Sequence, residues 1–427
     1  MATAGSREPS RACPASEPSA VDNGDRDTAD MRWLRPVGIV AVLAAVAGCS
    51  AAATAGSGAP DAAAPARSGS APPTGTHAHA APTGPSAPLR VGERFTTLTV
   101  PRAYTPRPPN GGTDEYRCFL VDPGLRAPAF LTGSQFRPSN LDVVHHAIVF
   151  RVAPADVPAA RQLDAQDPGD GWTCFGGTGI GGDDPARALG DDWVAAWAPG
   201  GLGEERTPAG TGYLLQPGAQ LVLQVHYNLL NRPAGSSDRP GIQLRLAPAS
   251  ARLTPLRTQL LPAPVELPCP DGSTAGLCDR TLAVLDVIHR FGPAAGATVA
   301  GLTLLCRPDG RPAPGPTQSC DHRVTEPGRI YALAGHMHLL GTRITVQLNP
   351  GRPGARTLLD VNPYNFHDQR SVALPRPVPV EAGDVLRVTC THDASLRPEV
   401  LPGVPPRYVV WGDGTTDEMC LGIVIRD

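Results

Sequence analysis

From about residue 89 onward the chain reads as short apolar alternations broken by turn residues. Phe95 to Val100, Val143 to Arg151, Gln220 to Tyr227, Ile242 to Leu246, Ile330 to Ala334, Thr342 to Leu348, Val385 to Thr391 and Leu421 to Ile425 all follow this pattern. A period of two marks half-buried strands, so eight strands are predicted. Only residues 155 to 163 show a weak helical period. Two packed antiparallel sheets per domain are the natural architecture for such a pattern. A stretch rich in Pro and Arg at 247 to 268 separates two halves, which places a boundary near residue 252, between domains 89–252 and 253–427.

The segments before residue 89 have other patterns. Arg32 and Arg35 precede an apolar run from Val37 to Val46, and Ala47, Gly48 and Cys49 follow. This is the layout of a signal peptide over 31–49, with an apolar run too short to span a bilayer. Small residues before a cysteine resemble a bacterial lipobox, so Cys49 is expected to carry lipid and to hold an exported protein at the outer surface of the cell membrane. Residues 1–30 lie upstream of a complete signal and read as a misassigned start or disordered segment. Residues 50–88 are Ala, Gly, Ser, Thr and Pro with almost no large apolar residue, which reads as a disordered tether. Its His77 and His79 read as loop histidines.

Composition narrows the choices. Glycine (47) and proline (49) are abundant and only 18% of residues are charged, which favours strands and turns over long helices. A net charge of -3 gives no basic field for nucleic acid, and that class is dropped. Ten cysteines become eight once Cys13 and Cys49 are set aside: Cys118, Cys174, Cys269, Cys278, Cys306, Cys320, Cys390 and Cys420. An even number in an exported chain, with no C-x-x-C, predicts four disulfides rather than a thiolate metal site. Eight cysteines allow 105 pairings. Proximity alone favours Cys269 with Cys278 and Cys306 with Cys320.

Histidines carry the candidate chemistry. Four of them form two tight pairs on predicted strands, His145-His146 and His336-Met337-His338. Residues i and i+2 of a strand share a face, so His336 and His338 can offer two imidazoles to one ion. Adjacent His145 and His146 point to opposite faces of a regular strand, so sharing an ion requires a local irregularity or different ring nitrogens from the two residues. His226 sits in the apolar strand Leu-Val-Leu-Gln-Val-His-Tyr-Asn, where an unpaired imidazole is costly. A lone strand histidine is more often a hydrogen-bonded core residue than a ligand; the pairing of the others is what points to metal. Met419, beside Cys420, adds a thioether, and soft ligands select Cu(I). No His-Glu-x-x-His, nucleophile elbow, phosphate loop or dinucleotide fingerprint occurs in the folded part. Redox metal chemistry is what these residues support.

Six motifs in order resemble the copper type II, ascorbate-dependent monooxygenases, the family of dopamine beta-hydroxylase and peptidylglycine alpha-hydroxylating monooxygenase. They are Glu115-Tyr116-Arg117-Cys118, Val144-His145-His146, Ala196-Trp197-Ala198-Pro199-Gly200, Leu223-Gln224-Val225-His226-Tyr227, His336-Met337-His338 and Asp417-Glu418-Met419-Cys420. The resemblance implies an all-β fold of two consecutive jelly-roll sandwiches. It implies two copper ions, one held by His145, His146 and His226 and one by His336, His338 and Met419, across an open, water-filled cleft. It further implies hydroxylation of an aliphatic C–H bond with dioxygen and a one-electron reductant such as ascorbate, with Gln224 helping to connect the sites. The cysteine positions match family bridges Cys118–Cys174 and Cys390–Cys420. Where peptide-amidating members anchor a carboxylate, this chain has Ala334, Leu421 and Ile423. A less polar substrate is expected. A non-enzymatic copper-binding lipoprotein is the competing reading. His289, His322, His367 and His392 fall outside the ligand motifs and read as surface or hydrogen-bonded residues, and Trp197 and Tyr227 as packing residues.

Overall fold

The computed structural model describes residues 85–427 except 168, 182–192, 199–200, 202 and 231–234. The start at 1–30, the signal segment, Cys13, Cys49, His77, His79, most of the tether and the Pro199-Gly200 end of one motif lie outside the described residues.

In chain order the first half runs β1 (Arg94–Thr99), β2 (Asp114–Val121), β3 (Ala129–Arg137), β4 (Val144–Val152), helix α1 (Val157–Gln166), β5 (Trp172–Thr173), β6 (Trp193–Trp197), β7 (Glu205–Arg206), β8 (Thr211–Leu215), β9 (Gln220–Asn228), β10 (Gly241–Pro248) and β11 (Thr254–Pro255). One sheet has the order β1-β10-β3-β8-β11, with β7 on β3, and the other β5-β2-β9-β4-β6. The second half begins at β12 (Arg257–Pro262) and β13 (Glu266–Leu267), then forms a helical hairpin, α2 (Arg280–Phe291) and α3 (Pro293–Cys306). It continues through β14 (Thr317–Arg323), β15 (Gly328–His336), β16 (Gly341–Leu348), β17 (Arg356–Val361), β18 (Val372–Val380), β19 (Val385–His392), the short helix α4 (Arg397–Val400), β20 (Val409–Val410) and β21 (Leu421–Arg426). Its sheets have the orders β12-β21-β15-β18 and β14-β19-β16-β17, with β13 and β20 as a small ribbon. The fold is an all-β pair of sandwiches, and the sheets change over between Pro255 and Arg257, just beyond residue 252.

Strand periodicity decides what each face holds. In β9, Leu221, Leu223, Val225 and Tyr227 enter the core of the first sandwich. The alternate residues Val222, Gln224 and His226 turn outward, and β2 and β4 do the same with Tyr116 and Cys118 and with Ile148 and Phe150. In the second half Leu333 and Val424 fill the core. Ala332, Ala334 and His336 of β15 and Leu421, Ile423 and Ile425 of β21 instead line a cavity shared with Tyr116, His146, Ile148, Phe150 and Gln224. The two outward faces therefore confront each other. This juxtaposition is the frame of the candidate site.

Four disulfides form: Cys118–Cys174, Cys269–Cys278, Cys306–Cys320 and Cys390–Cys420. Two expectations need correction. The hairpin of α2 and α3 was not predicted, because α3 (PAAGATVAGLTLLC) is apolar or small all round and carries no helical period. The tether was drawn to residue 88, yet its last residues are bound. Ala87 N donates to Glu204 at 3.0 Å and Pro88 O accepts from Arg245 at 3.1 Å. Arg245, fully buried, also pairs with Glu93 and Glu204 at 2.7 and 2.6 Å, and these charge-assisted bonds anchor the entry of the chain. No helix among the described residues is long and apolar enough to cross a membrane.

Candidate metal centre

A bulge resolves the His145-His146 problem. Val144 pairs with Tyr227 and His146 with His226, and the register shifts between the first pair and the second. His145 is the extra residue, so both imidazoles can reach the outward side. Nδ1 of His145 lies 3.0 Å from that of His146 and 3.2 Å from that of His226, and the third edge is 3.3 Å. Nitrogens that share a first-row metal at about 2 Å each have this spacing.

The tautomer at His226 is set from behind. Its Nε2–H donates to Asp114 Oδ1 at 3.0 Å, and a neutral imidazole has one N–H, so Nδ1 can only accept. Burial would raise the Asp114 carboxyl, but hydrogen bonds, that from His226 first and then those from Thr415 and Thr113, outweigh it and hold it at about 2. Tyr116 stacks on His226 with ring centroids 4.2 Å apart. Burial, then the neighbouring histidines, keeps His145 and His146 well below the usual imidazole range. Neutral, buried imidazoles with converging Nδ1 atoms are a donor set for a metal ion.

The second set is built differently. His336 ends β15 and donates from Nδ1 to Gln369 Oε1 at 2.6 Å, and His338 Nδ1 donates to the Asp417 carbonyl at 3.1 Å. Both rings therefore keep their Nε2 lone pairs. That of His338 is buried and has no hydrogen-bond partner among the described residues, which a metal ion would supply. Burial, then the adjacent His338, lowers His336 to about 3. Glu418, fully buried, accepts from the backbone N–H of His338 at 2.9 Å and of Leu340 at 2.6 Å. These bonds tie His338 to the segment carrying Met419, and the Cys390–Cys420 bridge fixes the next residue. Met419 and His336 line the same cavity.

The open cleft is not what the structure has. The rings of His146 and His336 meet edge to face, 5.6 Å between centroids. Phe366 stacks on His145 at 4.6 Å and meets His338 edge-on at 6.3 Å, so an apolar ring closes the space between the two sets. Beside them lies a cavity of about 520 Å³ in which Ala334, Leu421 and Ile423 sit next to His336. Those residues are cross-strand neighbours, Ala334 with Ile423 and His336 with Leu421. Asp413 also lines the cavity; burial, then the neighbouring charge of Asp417, pushes it up to about 7.

Gln224 lines the cavity that His146 and His336 also line. Its Nε2 donates to the carbonyls of Cys174 and Gly177 at 2.9 and 3.1 Å, and no hydrogen bond joins it to either histidine set among the described residues. Of the other histidines, His392 is buried against Glu418 and the Met419 carbonyl, His322 donates to the Pro262 carbonyl at 2.8 Å, and His289 and His367 are exposed. Trp197 and Tyr227 pack in the first core. Asp114, Gln369, Thr415 and Phe366 were not singled out from sequence; Asp114, directly before the Glu115-Tyr116 motif, and Thr415, two residues before the Asp417-Glu418 motif, stood near a signal.

Comparison with known proteins bears on the second half. Residues 316–425 match the family model described as the copper type II ascorbate-dependent monooxygenase, C-terminal domain. Among solved structures, the major capsid protein P2 of bacteriophage PM2 is 8% identical with a TM-score of 0.25, covering 78% of this chain and 97% of that one. An allantoicase is 12% identical with a TM-score of 0.17, covering 75% and 90%, and a xanthan lyase of Paenibacillus is 12% identical with a TM-score of 0.14, covering 78% and 25%. Likenesses this distant carry no argument about this chain. Its second half thus carries a domain of the copper type II ascorbate-dependent monooxygenase family, within an all-β sandwich fold.

Proposed function

We propose that this protein is a copper-dependent monooxygenase that hydroxylates an aliphatic C–H bond of an apolar small molecule. It uses paired donors, dioxygen and a one-electron reductant such as ascorbate, and incorporates one oxygen atom. Substrate, O2, two electrons and two protons give the alcohol and water. His145, His146 and His226 would hold one copper ion, and His336, His338 and Met419 another. Copper supplies one-electron redox chemistry toward dioxygen, which no side chain provides.

The observation that carries this reading is the cavity. It joins Met419 and His336 to a wall of Ala334, Leu421, Ile423 and Ile425, which a metal carrier has no use for. The wall offers a substrate apolar contact beside the reacting end: β15 and β21 send no arginine into the cavity, whose arginines are Arg206 and Arg370 from other segments. Asp114, Gln369 and the Asp417 carbonyl hold the imidazoles in one tautomer, so the rings are oriented before substrate arrives. Four disulfides suit an oxidising compartment, and we place the protein outside the cytoplasm, exported and lipid-anchored through Cys49.

Oxygen consumption tests the reading. With copper and ascorbate, uptake is expected to rise on adding apolar substrates, to stay flat with glycine-extended peptides, and to collapse in Met419→Ala. A chain that binds copper but never consumes oxygen with reductant and any substrate would instead be a copper carrier.

A further inference from the structure

The two halves meet through a carboxylate that neither histidine motif contains. Asp114 Oδ1 accepts from His226 Nε2 at 3.0 Å, from Asn228 Nδ2 at 2.8 Å and from Thr415 Oγ1 at 2.7 Å. Its Oδ2 accepts from Thr113 Oγ1 at 2.9 Å. Three of these donors belong to the first half. Thr415 belongs to the second, 301 residues away in sequence. Asn228 Nδ2 also donates to Thr415 Oγ1 at 2.6 Å, so the hydroxyl is both held and directed. Asp114, His226 and Thr415 are all buried.

The segment that brings in Thr415 also serves the other set. The Asp417 carbonyl accepts from His338 Nδ1, and Met419 follows two residues later. Arg290 of α2 grips the Asp417 carboxylate with two bonds of 2.7 Å, and Tyr116 Oη–H donates to the Asp413 carbonyl at 3.0 Å. One stretch, residues 413–419, therefore touches the partner of His226 in the first half and the partner of His338 in the second.

We propose that Thr415 is a positioning residue through which the second half holds Asp114 against His226, so that copper binding at the first set and closure of residues 413–419 over it strengthen each other. The proposal rests on reading His145, His146 and His226 as copper ligands. A carboxylate behind a ligating imidazole fixes its ring and its basicity, and losing such a partner costs about 10–100-fold in metal affinity. Thr415 supplies one of Asp114's four donors and reaches it only from the opposite half. Linkage requires reciprocity: whatever factor closure adds to copper binding, copper adds to closure.

The test uses the full chain and copper alone. In Thr415→Val, which removes the hydroxyl while nearly keeping the shape, competition with a Cu(I) chelator should show one of the two ions weakened by about tenfold and the other unchanged. Thr415→Ser should restore the wild-type value. Affinities in Thr415→Val equal to wild type, with the variant folded, overturn the proposal. Independently of any Thr415 variant, copper added to His338→Ala, whose second set is broken, should slow amide exchange across 413–417; unchanged exchange there overturns it as well. A wild-type chain that binds no copper at all refutes the ligand reading itself, and with it this proposal.

Discussion

The two histidine sets solve one problem in opposite ways. In the first, three imidazoles on neighbouring strands point Nδ1 inward, and a bulge in β4 is needed to put adjacent residues on one side. In the second, His336 and His338 flank the buried Met337 at the end of β15, both keep Nε2 available, and Met419 lines the same cavity as His336. The first is packed under Tyr116 and Phe366 and reaches the cavity through His146, and the second reaches it through His336 and Met419. The difference lies in which atoms are left exposed, since the ring chemistry is the same.

The comparison can be broken most severely at the second set. Replacing both Cys390 and Cys420 by Ser opens a loop whose ends are 30 residues apart, which should cost about 3–4 kcal/mol in urea unfolding. Copper should be lost from the second set and kept at the first, since Cys420 neighbours Met419 only. The converse experiment is Asp114→Asn, which keeps the shape but not the charge behind His226. First-set copper affinity should fall by about 10–100-fold in a chelator competition while the second is unmoved.

Acid should act on both sets in the metal-free chain. His145, His146 and His336 are held below their unfolded values, so between those limits the unfolded chain binds more protons than the folded one. Stability is then fully present above about pH 6.5 and is lost as pH falls below it, by up to about 1.4 kcal/mol per pH unit for each histidine. Urea unfolding at pH 7 and pH 5 measures the slope, and copper should flatten it. The smallest effect is expected from Gln369→Ala, which frees His336 Nδ1 and should lower second-set affinity by no more than about tenfold.

Part of the frame was legible in the sequence, whereas long strands such as β2, β3 and β18 were not picked out. The eight predicted strands are β1, β4, β9, β10, β15, β16, β19 and β21, because their alternation is what a half-buried strand must show. The need for an irregularity at His145-His146 followed from strand geometry, and the register shift meets it. The helical hairpin was hidden because α3 lacks a polar face, although its surroundings carry the signals of a helix end. Asp279 caps α2 by accepting from Leu282 N at 3.0 Å, and Gly292-Pro293 separates α2 from α3. The partners behind the imidazoles were hidden for another reason. Asp114 meets His226 across 112 residues and Thr415 across 301, and no local pattern encodes such contacts. The ring contact between His146 and His336 depends in the same way on how the two outward faces meet.

The central claim is that the chain holds two copper sites of different build. Metal analysis of the purified full-length chain, beside His226→Ala and His338→Ala, tests it most directly. Two copper ions per wild-type chain and one in each variant, the Cu(II) signal lost from His226→Ala being distinct from that lost from His338→Ala, is the predicted result; one ion or none in the wild type, or two retained in either variant, would contradict it.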